Sequence, residues 1–344
     1  MNVWHDGFDS YAVVADLSSQ GYGTTSLALG LTTGRFGGGG ITVSDGNYEY
    51  LAKSLTYALE LWVGVAIYAN STANADRAIA TFISSAGVEG YLTFNPVTKT
   101  VKAWRGLQNT LLGSAIISGF ANLSWGWWDI HYKYSTTVGV FEVWFNGVQV
   151  LNLTAQNTAQ DTGQTALSTV SIASNAVGGG QPCLGMTFDD LVINDTTGTY
   201  NNGRQGDSRI ETVTATSDAT PNNGTPSTAG SHYPMVDEAQ WNTTNYITMT
   251  NTSGQEELFG MGALSGTPSA ISALRVVLLA ENTDAGTAAL ESVVVSSATE
   301  LDGASTNLTS SWGRYSFLYE YDPHTSAAWT AAAVNAAQIG WKVP

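Results

Sequence analysis

A chain of 344 residues with 43% hydrophobic content is long enough for two domains with proper cores and too apolar for global disorder. Only 12% of its residues are charged and the formal net charge is -16, so the clustered cations that open binding to nucleic acid or to anionic membrane surfaces are missing, and neither is expected as a partner. Cys183 is the only cysteine, which excludes an intrachain disulfide framework, and no run of about 18 apolar residues offers a membrane-spanning segment.

The opening residues Met1-Asn2-Val3-Trp4-His5-Asp6-Gly7 lack the basic region and apolar core of a secretory signal, so the chain is expected to be made and folded in a cytoplasm. From there to residue 197, short runs of β-formers are separated by Gly, Asn, Ser and Thr clusters at intervals that suit an antiparallel sandwich. The Gly37 to Gly40 run reads as a loop, and strands are predicted over residues 57–67, 78–84, 90–94 and 100–105. Pro96 places a turn at 95–99, because proline fixes φ and cannot donate to a ladder. A strand over 127–134 follows. Trp127 and Trp128 are adjacent, so one of the two must point away from the interior.

The clearest local signal is 141–150, two alternating runs joined at Asn146-Gly147, the dipeptide suited to a two-residue type I′ turn. With those two as the loop, Phe145 faces Val148 and Val143 faces Val150. Phe141, Val143, Phe145, Val148 and Val150 then share one apolar face, with Glu142, Trp144 and Gln149 on the other. A strand over 186–193 closes this region. Composition shifts between 194 and 231 toward Asn, Thr, Gly, Asp, Ser and Pro, which places a boundary near residue 198; a short strand is predicted at 209–215 between irregular stretches at 199–207 and 217–230. Further strands are predicted at 246–250, 273–280, 288–296 and 315–321. A short helix is expected within 326–337, N-capped by Thr325 or Ser326 after Pro323, and then a last strand at 339–343.

No catalytic motif is present. Gly21-Tyr22-Gly23 and the Gly37 to Gly40 run precede no helix, so they form no phosphate cradle, and His5, His131, His232 and His324 show no close metal-binding pair. Acidic residues alternating along one strand, as a sandwich glycosidase would need, are also missing, so no enzyme, cofactor or metal is expected. Asp189 and Asp190, with Asp195 just beyond, could supply oxygen ligands to calcium, but they lack the spacing of a dedicated loop, and the preferred reading is a carboxylate accepting backbone hydrogen bonds. The remaining signal is eleven tryptophans. Trp104, at a strand end, and Trp144, on the face opposite the hairpin's apolar stripe, are the candidate carbohydrate-binding residues, against core or subunit packing as the alternative.

Phe8-Asp9, the Gly37 to Gly40 run, Trp128-Asp129-Ile130-His131, Val143-Trp144-Phe145-Asn146-Gly147-Val148 and Phe188-Asp189-Asp190-Leu191-Val192-Ile193 resemble the concanavalin A-like, laminin-G-like jelly roll over residues 1–197. Its members include lectins, glycosidases and adhesion modules, so the fold does not choose a function. Gly206-Asp207-Ser208-Arg209-Ile210, Ser231-His232-Tyr233, Val236-Asp237-Glu238, Asp322-Pro323-His324-Thr325, Ala328-Trp329-Thr330 and Val334 to Gly340 resemble the carboxyl-terminal half of tailed-bacteriophage virion proteins with such a first domain. The resemblance implies a structural or receptor-facing part of a phage particle, tail-associated or on the capsid surface. It would be assembled in the bacterial host cytoplasm, partnered by other virion proteins and built as a homo-oligomer with rotational symmetry such as a trimer, with host surface polysaccharide as a further partner. A dedicated adhesin or a polysaccharide depolymerase is the alternative. The expected fold class is all-β, two antiparallel β-sandwich (jelly-roll) domains at 1–197 and 198–344, the second with one short helix near the C-terminus.

Overall fold

The Asn146-Gly147 hairpin forms where the sequence places it, with both loop residues at positive φ, 47° and 80°, between strands Gly139–Phe145 and Val148–Gln156. The computed structural model describes residues 1–24, 29–43, 50–70, 72–106, 110–173, 183–240 and 242–344, and divides into a first unit, Met1–Ile210, and a second, Glu211–Pro344.

The described strands of the first unit are β1 (Asn2–Asp6), β2 (Tyr22–Thr24), β3 (Leu29–Thr33), β4 (Gly39–Val43), β5 (Leu51–Tyr57), β6 (Glu60–Ala69), β7 (Arg77–Ser84), β8 (Val88–Asn95), β9 (Thr100–Arg105), β10 (Thr110–Ile116), β11 (Trp125–Lys133), β12 (Gly139–Phe145), β13 (Val148–Gln156), β14 (Leu167–Ile172) and β15 (Met186–Asp195). They build two antiparallel sheets. One has the order β13-β12-β11-β6-β15-β4-β3, with β1 also on β15, and the other β10-β9-β8-β7-β14-β5-β2. Period-two alternation sends Trp128, Ile130 and Tyr132 of β11 into the core between the sheets, where they join Phe82, Phe94, Phe141 and Phe145. Trp127, Asp129 and His131 point the other way.

That outward face is partly covered by the chain itself. The first unit continues past residue 197 because 204–210 is tied to the sheet: the Gly206 amide donates to Asp129 at 3.2 Å, the Ile210 amide donates to Asp190 at 2.7 Å, and Arg35 meets Asp207 at 2.6 Å. Ile210 also packs on Trp127, Ala66 and Val192. The strand predicted at 209–215 is therefore replaced by one that starts at Ala215. Gly39 and Gly40 open β4 rather than remaining in a loop. The hairpin register also differs: Phe145 faces Val148, but a bulge on β13 pairs Val143 with Leu151 instead of Val150. Leu151 takes the core position and Val148 is left exposed.

The second unit comprises β16 (Ala215–Asn222), β17 (Thr225–Pro226), β18 (Ile247–Thr248), β19 (Glu256–Met261), β20 (Leu274–Ala280), β21 (Ala289–Ser296), β22 (Thr299–Asp302), β23 (Thr306–Asn307), β24 (Gly313–Tyr319), α1 (Ala331–Ala336) and β25 (Gln338–Lys342). A sheet of order β16-β19-β25-β21-β22, with β23 on β21, faces the β20-β24 ribbon. Val276, Phe317 and Tyr319 from the ribbon meet Leu290 and Val294 of the sheet, together with Trp329 and Val334. The fold class is all-β, as expected, with one short α-helix near the C-terminus.

That helix starts later than predicted. Ser326 sits at φ 52°, and the Asp322 carboxylate accepts from the His324 amide and the Thr325 hydroxyl, both at 3.0 Å, so 322–327 is a turn. Thr330 is the N-cap, accepting from the Ala333 amide at 3.1 Å. Thr330→Ala is expected to lower stability by about 1 kcal/mol, read as a shift in the thermal unfolding midpoint, whereas Ser326→Ala removes no cap.

Candidate functional site

The two tryptophans singled out from sequence lie on opposite sides of the first unit's sandwich. Trp104 projects outward from β9. Its ring stacks on Tyr91 of the neighbouring β8 at 5.9 Å between centroids and 6° between planes, and its indole N–H donates to the Thr93 hydroxyl at 2.9 Å. Lys102, two residues earlier on the same face, pairs with Asp76 at 2.6 Å. Trp104 is thus a half-buried member of a small cluster with Tyr91, Ala78 and Val88.

Trp144 projects outward from β12 on the other sheet, where pairing of β6, β11 and β12 sets rows of side chains across the surface. Leu61, Tyr132 and Phe141 share an inward row, while Trp62, His131 and Glu142 share an outward one. In the next outward row Gly64, Asp129 and Trp144 are in register. A side chain at Gly64 would lie 2.6 Å from the Trp127 ring, so glycine there gives the indole its place. Trp144 packs against Trp62 at 5.3 Å and 38°, and the Arg204 guanidinium lies 5.3 Å from the Trp144 ring. His131 stacks on Trp62 at 4.1 Å and 6°.

Carboxylates hold this group rigid. His131 Nδ1 meets Glu142 at 2.8 Å and Nε2 meets Glu60 at 3.0 Å; both partners only accept when ionised, so both bonds form together when each ring nitrogen carries a proton. Glu60 also pairs with Lys133 at 3.0 Å, and Gln149 donates to Glu142 at 3.2 Å. The result is two half-exposed indoles in a fixed tilt, rimmed by acceptors and donors. Flat apolar faces beside oriented polar groups suit a sugar ring with its hydroxyls. Sequence reasoning found Trp144 but missed Trp62, His131, Glu60 and Glu142. Alternation alone places Glu60 with Trp62, Asp129 with His131 and Glu142 with Trp144 on single faces; what it lacks is the register that brings three strands together.

Asp189 and Asp190 have a different role. Asp189 accepts from the Arg35 amide at 2.6 Å and the Asp190 amide at 2.7 Å, and Asp190 accepts from Ile210 as above. Asp190 sits at φ 53° in a bulge of β15, with its second oxygen 4.0 Å from Arg35. Burial, with the neighbouring Asp190 charge, pushes the Asp189 carboxyl up to about 7; burial likewise raises Asp190 to about 6 against the pull of its backbone bond and Arg35. Among the described residues, no group of three or more His, Cys, Asp or Glu side chains is arranged to hold a metal ion. In the second unit the fully buried Glu257 joins His232 Nδ1 and the Gly224 amide, while Asp218 accepts from the His232 and Tyr233 amides, so these acids anchor the backbone.

No family model matches the chain, and no curated protein does. Solved structures similar to it include an alginate lyase, Aly36B, at 9% identity and a TM-score of 0.38, covering 56% of this chain and 96% of that one. The cellulose-induced protein Cip1 overlaps at 14% identity and a TM-score of 0.37, covering 59% and 93%. Domain 4 of AbnA, an extracellular arabinanase from Geobacillus stearothermophilus in complex with arabinotriose, overlaps at 12% identity and a TM-score of 0.36, covering 56% and 91%. With TM-scores this low, the likeness assigns no ligand and no residue role to this chain.

Proposed function

We propose that the protein is a non-enzymatic structural component of a tailed-bacteriophage particle, tail-associated or on the capsid surface, that contributes to attachment to host glycan. The observation that carries the attachment role is the Trp62, His131 and Trp144 patch, in which two tilted indoles stand half-exposed beside fixed carboxylates. The particle role rests on the sequence resemblance of both halves. Binding is favoured over cleavage at this patch because the His131 ring fills the gap between Glu60 and Glu142, leaving no space between them for a sugar ring.

Binding of the purified protein to a panel of bacterial surface polysaccharides, including the host's own, tests this reading. Trp62→Ala and Trp144→Ala are each expected to weaken binding by about tenfold to a hundredfold, the scale for losing an aromatic anchor. Trp104→Ala, on the other sheet, is expected to leave affinity unchanged. Loss confined to Trp104→Ala would move the site to the opposite face; reducing ends released from the polysaccharide would show a depolymerase instead.

A further inference from the structure

Two strands end their sheets on the same side of the first unit. Among the described residues β10 pairs only with β9 and β13 only with β12, so each presents an unpaired edge. The two edges touch: a side chain at Gly113 of β10 would come within 2.8 Å of Leu153 of β13. Phe120, shortly after β10, lies 6.1 Å from Phe145, the cross-strand partner of Val148, which puts the Ile116 end of β10 and the Val148 end of β13 together.

Beyond the bulges in β10 and β13, this side carries none of the charges or prolines that blunt an edge. Residues 110–116 read Thr-Leu-Leu-Gly-Ser-Ala-Ile and 148–156 read Val-Gln-Val-Leu-Asn-Leu-Thr-Ala-Gln, without one charge or proline. Large apolar side chains stand in the open there, with Ile116 73% exposed, Val148 66% and Leu111 49%. A partner should match the strip in charge. Two copies of a chain with net charge -16 repel each other broadly, and an uncharged strip is where that repulsion is least and where apolar burial and strand pairing can act.

We propose that the β10/β13 edge is the surface through which this protein associates with a second copy of itself, edge strand to edge strand. The proposal deepens the particle reading by locating its self-association, and it is independent of the glycan patch, which lies on the sheet's outer face. Sedimentation of the full chain across a concentration series should show reversible association. Ile116→Lys and Val148→Lys should each raise the dissociation constant by about tenfold or more, because each sets a desolvated charge in the contact. Val13→Lys, exposed on the segment that leads into β2 at the opposite edge of the β10 sheet, should leave association unchanged. Unaltered circular dichroism checks that these surface variants fold, and unaltered polysaccharide binding separates this test from the one above. A wild type that stays monomeric at about 100 μM, or association indifferent to both edge lysines, would overturn the proposal.

Discussion

Trp128→Ala is expected to destabilise the first unit by about 3 to 5 kcal/mol, the range for removing a large aromatic from a close-packed core. Trp128 is 1% exposed and meets Phe94 edge-on at 4.9 Å and Phe145 at 5.1 Å, so its loss opens a cavity that neither sheet can collapse without breaking cross-strand register. Chemical denaturation monitored by fluorescence should show the midpoint falling with the slope unchanged. Trp127→Ala supplies the contrast. Trp127 is equally buried, but on the outward face beneath Ile210, where the irregular 204–210 segment can settle into the gap. Its cost should be smaller. Equal costs would mean that this segment is as rigid as the core.

The same pair shows how much of the structure was legible in the sequence. Alternation requires Trp127 and Trp128 to face opposite ways, and the hairpin is written out by Asn146-Gly147, because both signals are local. What covers an outward side chain is set by residues far along the chain, here Ile210 over Trp127 and Arg204 over Trp144, and spacing within one strand carries nothing about them. Strands with weak alternation were missed for a related reason. Glu256-Glu257 opens β19 with two acids, yet Glu257 is fully buried because His232 and the Gly224 amide satisfy it. The bulge on β13 shifted the pairing by one residue beyond Gln149, which sequence cannot foresee, and that shift gives Leu151 rather than Val150 the core position. The candidate patch was half legible: Trp144 could be placed outward, but Trp62 and His131 became neighbours only through the registers of β6, β11 and β12.

The first unit should lose stability as pH rises from about 4 to about 7, the reverse of a protein held by paired surface carboxylates. Asp189 and Asp190 are nearly fully buried, and burial lifts their folded-state values to about 7 and about 6, above the ordinary 3.8. The sign follows from proton binding. Between these values the folded chain keeps protons that the unfolded chain has released, so the contribution is fully present below pH ~4 and is lost as pH climbs through 6 and 7. An effect of several kcal/mol is expected across that window, the larger share from Asp189. Arg35 restrains it by facing both Asp190 and Asp207, while Asp9 adds to the repulsion. Asp195 acts in the opposite direction: despite its burial, hydrogen bonds from Thr197 hold it below its ordinary value, so its share is lost only in stronger acid. Urea midpoints at about pH 4.5, 6 and 7.5 measure the profile. Asp190→Asn should flatten it at modest cost, since one oxygen can still accept from Ile210 and the other accepts no hydrogen bond in the native fold. Asp189→Asn should cost more, about 1 to 3 kcal/mol, because both Asp189 oxygens receive backbone amides and one would meet an N–H donor instead. A wild-type midpoint that climbs with pH across this window would mean that the two acids are ionised in the folded chain, with Arg35 rather than protonation neutralising them.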